Sequence, residues 1–445
     1  MNYVKNTELI NLLKHFGISI IQRDKRISIS RNPCKKKSLS FKSMGKLFLS
    51  IYELFGKDNF LEFVDIPPCL LPQTVIAHFR FQDKKNVFFN KNRCFPCKFL
   101  GVCPGWAASP FDAKTSFFQR PVVDIPNEVV FELTEKCNQS CLFCNKNKAT
   151  SISCKRIIQY MDECLQLGIK AVRFTGGEPL LYKNLIQLLK EAKKRRLYVL
   201  LNTNANDLTS EYLTGIGKYV DNVLVSLHGY DTATESFLSG VKIDFVKKIK
   251  NILMLKNNVP VVRVGTIISK IFRENAKSYQ EVLAKILKMN FWELYRPMQT
   301  GNEIAQSWCF PEDIPPILSY LKNLHEMTGM DCKIANPIPF CIEKKPYLYK
   351  NCLLGAVADD GHSRMVLDAK GFFKPSYFIN YSLGESLYES WKNPFLTKLR
   401  SLKYLPSSCL FCFYLPWCRG GSRSAAYSSE GNYFARDPWL KSAKN

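Results

Sequence analysis

Between residue 128 and about residue 300, short apolar segments alternate with amphipathic ones, and this alternation restricts the possible folds more than any single motif. Candidate strands lie at 128–134, 170–175, 198–202, 222–227, 261–267 and 291–296. Helical periodicity separates them. One such segment, 155–167, sets Ile157, Ile158, Met161, Cys164 and Leu165 on one face; another, 184–196, turns Leu185, Leu188, Leu189 and Ala192 inward. Strands joined through helices run parallel, because the crossover returns the chain to its starting edge. Six such units predict an α/β fold, a partial (β/α)6 barrel. Reactive groups in barrels of this kind gather where the strands end.

The first strand end carries Cys137, Cys141 and Cys144, a CX3CX2C pattern. Three thiolates hold three irons of a cubane and leave the fourth open. Structural zinc is the alternative use of three close cysteines. The second strand runs into Gly176, Gly177, Glu178 and Pro179. Paired glycines there let backbone groups approach a ligand closely.

Together the two motifs resemble the signature of the radical S-adenosylmethionine (SAM) enzymes, with Phe143 as the aromatic before the last cysteine. Zinc does not account for the Gly-Gly-Glu-Pro turn. The resemblance implies a radical SAM barrel with a [4Fe–4S] cluster on Cys137, Cys141 and Cys144 as the catalytic centre. It implies SAM held by its amino group at the Gly-Gly-Glu-Pro turn and cleaved reductively to a 5′-deoxyadenosyl radical. An electron donor such as flavodoxin or ferredoxin follows. The family also lines its SAM site with the third and fourth strand ends, which makes Asn204 and Ser226 candidates for ribose or carboxylate contacts. Ordinary turn capping is the other use of such residues. His228 stands where a Ser-Leu-Asp-Gly turn would carry Asp.

Four segments follow along the chain. Residues 1–60 form a lead-in, with helical spacing at Leu9, Ile10, Leu12, Leu13 and Phe16, short strands at 18–21 and 27–30, and a helix at 43–54. Residues 61–125 are cysteine-rich: Cys94, Cys97 and Cys103 form CX2CX5C, with Cys69 upstream as a fourth ligand. An additional [4Fe–4S] cluster is expected there, with a zinc knuckle as the alternative. Residues 126–310 are the core. Residues 311–445 open with a helix at 312–327 and resemble the SPASM or twitch auxiliary-cluster extension. Cys409, Cys412 and Cys418 match its CX2CX5C, and Cys352 or Cys341 supplies a fourth thiolate. Ser376, Ser422 and Leu440 stand where that family has cysteines, so one of its two auxiliary clusters is expected to be absent. Cys154 and Cys164 read as small core residues.

Hydrophobic residues make up 46% of the 445, a globular composition. The 17 cysteines cluster in short ligand-type spacings, which favours metal binding in a reducing compartment over disulfides. No signal peptide and no apolar run of about eighteen residues is evident, so no membrane span and a cytoplasmic location are expected. The formal charge of +25 suits RNA or another polyanion, but scattered lysines also fit a compositional bias. The SPASM resemblance implies a peptide or protein substrate, modified by oxidation or crosslinking. RNA modification is the alternative. Pure electron transfer would leave Gly-Gly-Glu-Pro without a purpose.

Overall fold

The structure is a computed structural model that describes residues 125–144, 150–298, 308–356, 358, 361–406, 409, 412 and 414–440, together with the backbone of strands within 18–31, 60–64 and 79–80. Two compact units emerge: Met1–Asp124 with Ser407–Trp417, and Ile125–Pro406 with Cys418–Asn445.

In the first unit, β1 (Ile18–Arg23) and β2 (Arg26–Arg31) are the two short strands expected from sequence, and they pair antiparallel. β3 (Phe60–Val64) and β4 (Phe79–Arg80) extend the sheet in parallel. The helices expected near residues 9–16 and 43–54 lie outside the described residues.

The second unit is built on a nine-stranded sheet in the order β11-β10-β9-β8-β7-β6-β5-β12-β13. Its six central strands are those read from sequence: β5 (Glu128–Glu132), β6 (Ala171–Thr175), β7 (Tyr198–Thr203), β8 (Asn222–Ser226), β9 (Val261–Ile267) and β10 (Phe291–Tyr295). They run parallel throughout. Three strands escaped the sequence reading because they are short: β11 (Asp331–Ile334), β12 (Arg364–Leu367) and β13 (Phe373–Lys374). β12 pairs with β5 in parallel, so residues beyond 310 complete the core sheet. Hydrogen bonding does not join its two edges, so the barrel stays open.

Strand alternation gives the sheet two unlike faces. One carries Val129, Phe131, Val172, Phe174, Val199, Leu201, Val223, Val225, Val264, Trp292 and Leu294, all buried. The crossover helices cover it: α1 (Cys154–Gln166), α2 (Leu185–Lys194), α3 (Ser210–Tyr219), α4 (Thr232–Ser239) and α5 (Phe245–Asn258). α2 buries the four residues expected of it. α1 buries Ile157, Met161 and Cys164 as expected, but Tyr160 takes the place given to Leu165, which is exposed. The Tyr160 hydroxyl donates to the Glu385 carbonyl at 2.7 Å, a partner 225 residues away. Ile158 is only half-buried.

The opposite face is polar. The strand register sets Glu128, Arg173, Asn202, Asn222, Arg263, Glu293 and Tyr295 side by side across it. Arg173 Nε and Nη2 grip the Glu128 carboxylate at 2.6 and 3.1 Å, and Nη1 reaches Asn202 Oδ1 at 3.1 Å. Arg263 bonds Glu293 at 2.5 Å and Asn222 at 2.8 Å.

α6 (Ile314–Thr328) follows, close to the expected bounds. Arg296, just past β10, is held by Asn336 on both its N–H and its carbonyl, at 2.8 and 2.7 Å. Its guanidinium makes two bonds to Asp437, at 2.9 and 3.1 Å, and stacks on Trp439 at 3.6 Å. Both partners are buried, so removing one leaves an uncompensated buried charge. Asp437→Asn is therefore expected to cost about 3 kcal/mol. A urea unfolding midpoint equal to wild type would refute this anchoring role.

Candidate active site

The cysteine loop leaves β5 and is closed at its neck. Thr134 bridges Ser151, with their hydroxyls 2.6 Å apart, and the Glu135 N–H donates to the Thr150 carbonyl at 2.8 Å. α4 holds the far side. The Ser140 and Leu142 N–H groups donate to the carbonyls of Ser239 and Leu238 at 3.0 and 3.2 Å. Gly240 caps α4 in the left-handed conformation (φ +68°), and a Cβ there would collide with the Ser140 carbonyl.

Cys137 and Cys141 are half-buried, and Cys144 is exposed. Burial pushes the Cys137 thiol up to about 11 and the Cys141 thiol up to about 12. Each is raised further by its neighbours: Glu178 and Cys144 act on Cys137, and Cys144 and Cys137 act on Cys141. The three sulfurs thus lie within electrostatic reach of one another in a site that resists bare thiolates. A soft, thiophilic cation supplies what such a donor set lacks. Three thiols on one loop are the donor type that an iron–sulfur cluster or a zinc ion takes. Among the described residues, no three Cys, His, Asp or Glu side chains lie close enough to share one metal ion.

The Gly-Gly-Glu-Pro turn packs against the backbone that leads into this loop. Gly177 N–H donates to the Thr134 carbonyl at 2.6 Å, and Glu178 N–H to the Lys136 carbonyl at 2.8 Å. Gly176 has φ +146°, and a Cβ on it would strike Thr134. A Cβ on Gly177 would strike the Lys136 carbonyl. The close approach found here is to the chain's own backbone.

Glu178 is buried and occupied. Its Oε1 accepts from Leu180 N–H at 3.0 Å and from the Thr203 hydroxyl at 2.6 Å; Oε2 accepts from Asn204 N–H at 2.7 Å. Burial raises its pKa against these bonds, which favour the carboxylate. Pro179 opens a single 3-10 turn, Pro179–Leu181. Asn204 joins three motif ends: besides its bond to Glu178, its Nδ2 donates to Asn138 Oδ1 at 2.7 Å. Asn138 in turn donates to Asp207 at 2.7 Å. Ser226 ends β8, half-buried on the polar face and in register with Gly265.

His228 has more structure around it than a surface loop. Its ring lies 4.7 Å from Phe143, edge to face, and Trp308 meets Phe143 at 6.2 Å. Nδ1 accepts from Ile267 N–H at 3.2 Å, so the ring proton sits on Nε2. Burial depresses its pKa to about 4, with Lys248 lowering it and Glu235 opposing. Glu235 Oε2 accepts from the N–H groups of His228 and Gly229 at 2.7 and 2.5 Å, while Oε1 pairs with Lys248. The sequence reading missed Glu235, Lys248 and Asn251, whose Nδ2 donates to the Ala205 carbonyl at 2.7 Å. The signal was available: on α5, Lys248 and Asn251 fall at core-facing positions with Ile252 and Leu255.

Of the auxiliary cysteines, Cys69, Cys94, Cys97 and Cys103 lie outside the described residues. Cys412 N–H closes a turn onto the Cys409 carbonyl at 3.0 Å. Cys418 is buried, and its sulfur accepts from Phe340 N–H at 3.4 Å, next to exposed Cys341. Cys352 is buried beside Cys332, whose thiol is pushed up to about 12 by burial and then by Cys352. The Ser376 hydroxyl accepts from the N–H groups of Phe378 and Ile379, both at 3.2 Å. Ser422 caps the helix Arg423–Glu430. Leu440 donates its N–H to the Asp437 carbonyl at 2.8 Å.

The sequence profile of the Radical SAM superfamily matches residues 131–286. An AdoMet-dependent heme synthase of Methanosarcina barkeri is 23% identical over 343 residues, 72% of this chain and 97% of the relative. A PqqA peptide cyclase of Streptomyces rochei is 28% identical over 133 residues, 28% of this chain and 36% of the relative. Among solved structures, Streptococcus suis SuiB bound to the precursor peptide SuiA superposes with a TM-score of 0.60 at 17% identity, covering 72% of this chain and 77% of SuiB. That likeness shows a shared fold.

The packing of Gly177 makes a direct prediction. Gly177→Ala forces the turn away from the cysteine loop, with an expected loss of about 2 kcal/mol and of iron retained after anaerobic desalting. Normal stability together with normal iron content would contradict the packing role.

Proposed function

The chain is a radical SAM superfamily enzyme, and from that premise we propose that it modifies a peptide or protein side chain by oxidation or crosslinking. The observation that carries the reading is the union of the three thiols of Cys137, Cys141 and Cys144 with the Gly-Gly-Glu-Pro turn through backbone hydrogen bonds. When bound, the cluster and SAM supply a 5′-deoxyadenosyl radical that removes hydrogen from an unactivated carbon. The protein's own residues do the rest. Asn138, Asn204 and Glu178 hold the cysteine loop at one height over the strand ends. Glu178 spends its carboxylate on that task, so the amino group of SAM is left to the backbone of Gly176 and Gly177. Ser226 and the neutral His228 ring border the same rim, with Phe143 between the ring and Trp308. An electron donor of the flavodoxin or ferredoxin class completes the system.

The peptide substrate is supported by the peptide cyclase relative and by the fold shared with a precursor-peptide enzyme. A second reading, action on a heme-type molecule, draws on the heme synthase relative, which is matched over 97% of its length. Cys409, Cys412 and Cys418, with Cys341 or Cys352, and Cys69, Cys94, Cys97 and Cys103 are the proposed ligands of two auxiliary [4Fe–4S] clusters. Among the described residues no helix is long and apolar enough to cross a membrane.

Anaerobically reconstituted protein given SAM and dithionite should release 5′-deoxyadenosine, and a triple Cys137→Ala, Cys141→Ala, Cys144→Ala variant should not. Iron should approach about twelve per chain, four per cubane. Equal 5′-deoxyadenosine from both proteins would sink the assignment. Iron near four per chain with stoichiometric zinc would remove the auxiliary clusters alone.

A further inference from the structure

The polar face of the sheet holds more than its internal ion pairs use. Among the described residues it and its flank carry Arg173, Arg263, Arg364 and Lys374 beside Glu128, Glu132 and Glu293. Among the buried polar atoms there without a hydrogen-bond partner are Arg263 Nη2 and the Tyr377 hydroxyl. Arg263 spends Nε on Asn222 and Nη1 on Glu293, so one arm of its fork is unspent. Tyr377 lies against the Arg364 guanidinium, 5.5 Å from its ring, and borders Arg173 and Glu128. Glu128 is the common neighbour of both sites, feeling Arg263 as well as Arg173 and Arg364.

A buried donor left without an acceptor costs about 1–3 kcal/mol, and more when it is charged, so native proteins seldom keep one idle. Structural need does not explain these two, because neither atom has a hydrogen-bond partner among the described residues. The two atoms are themselves buried, but the face around them is partly open: the side chains of Arg263 and Glu293 each keep 14% of their surface exposed. Its position is also suited to substrate. Arg263 pairs with Leu224, two residues before the Ser226–Gly265 rim. Two residues of strand span roughly 6–7 Å, so a group held at Arg263 sits one side-chain layer below the rim that carries the cysteine loop.

We propose that this face binds a carboxylate-bearing substrate, with Arg263 taking the carboxylate and the Tyr377 hydroxyl donating to a second acceptor on the same molecule. The proposal rests on the radical SAM reading and names its substrate class. A carboxylate satisfies the free arm of the Arg263 guanidinium with a charge-assisted hydrogen bond, which a bound water does not. The chemistry is shared by an acidic side chain in a peptide and by a small-molecule acid.

The test uses reconstituted full-length enzyme with SAM present and measures equilibrium binding of two probe pairs. One pair is a labelled dodecapeptide pool with central Glu against the same pool with central Gln. The other is glutarate against glutaramide. At least one acid should bind about tenfold more tightly than its amide, as one charged hydrogen bond allows. Preference in the peptide pair alone identifies a peptide carboxylate; preference in the second pair identifies a small acid. Arg263→Gln should bring the ratio to about one. Tyr377→Phe should weaken the preferred acid severalfold without lowering the thermal midpoint, because its hydroxyl has no hydrogen-bond partner among the described residues. Absence of acid preference in both pairs, absence of binding by all four probes, or Tyr377→Phe lowering the midpoint with binding unchanged would each overturn the proposal. SAM cleavage without substrate, measured separately as 5′-deoxyadenosine, reports on the radical reading alone.

Discussion

Two backbone hydrogen bonds, Gly177 N–H to the Thr134 carbonyl and Glu178 N–H to the Lys136 carbonyl, fix the tail of β6 against the start of the cysteine loop. No side chain could intervene at Gly176 or Gly177 without displacing them. Everything else at the rim builds outward from this contact. Glu178, pinned by it, receives the end of β7 through Thr203 and Asn204. Asn204 returns to the loop through Asn138. On the other side, α4 supports Ser140 and Leu142, and its Glu235 organises the turn after β8. A loop with three sulfurs to aim is thus held from four strand ends.

The parallel sheet beneath allows this because every strand from β5 to β10 ends on the same side. The helix-covered face is apolar and contributes stability by burial. The opposite face is occupied by ion pairs and amides that would gain little there as structural elements, since buried pairs seldom repay their desolvation. Their presence on an interior surface points to a binding role. At the C-terminal end the chain shows the reverse exchange. Ser376 and Ser422 cap backbone N–H groups, and the Arg296–Asp437 pair secures the segment around Asp437. Those positions do structural work with hydrogen bonds.

The six central strands and the inner face of α2 were legible in the sequence because their signals are local: period-two or unbroken apolar runs, and leucines at helical spacing. Tyr160 was not, because its burial depends on a carbonyl 225 residues away. β11, β12 and β13 were not, because two to four residues carry no periodicity and their partners are distant. The site was legible as a list of motifs: Cys137, Cys141, Cys144 and the Gly-Gly-Glu-Pro turn stand out by spacing. Its supporting groups were not. A lone Glu235 or Lys248 in a helix reads as a solvated charge until the fold buries the two together. His228 read only as a replacement for Asp in a turn, yet burial holds its ring neutral, packed against Phe143 with the Ile267 N–H on Nδ1.

The central proposal is that Cys137, Cys141 and Cys144 would hold an iron–sulfur cluster and that SAM would bind it beside the Gly-Gly-Glu-Pro turn. Electron paramagnetic resonance of the dithionite-reduced protein, recorded before and after SAM is added, addresses it directly. The account predicts a reduced-cluster signal whose g-values shift on SAM addition, with the SAM-responsive component missing from the triple Cys→Ala variant. A spectrum that SAM leaves unchanged, or a SAM-dependent shift that survives loss of the three cysteines, would contradict it.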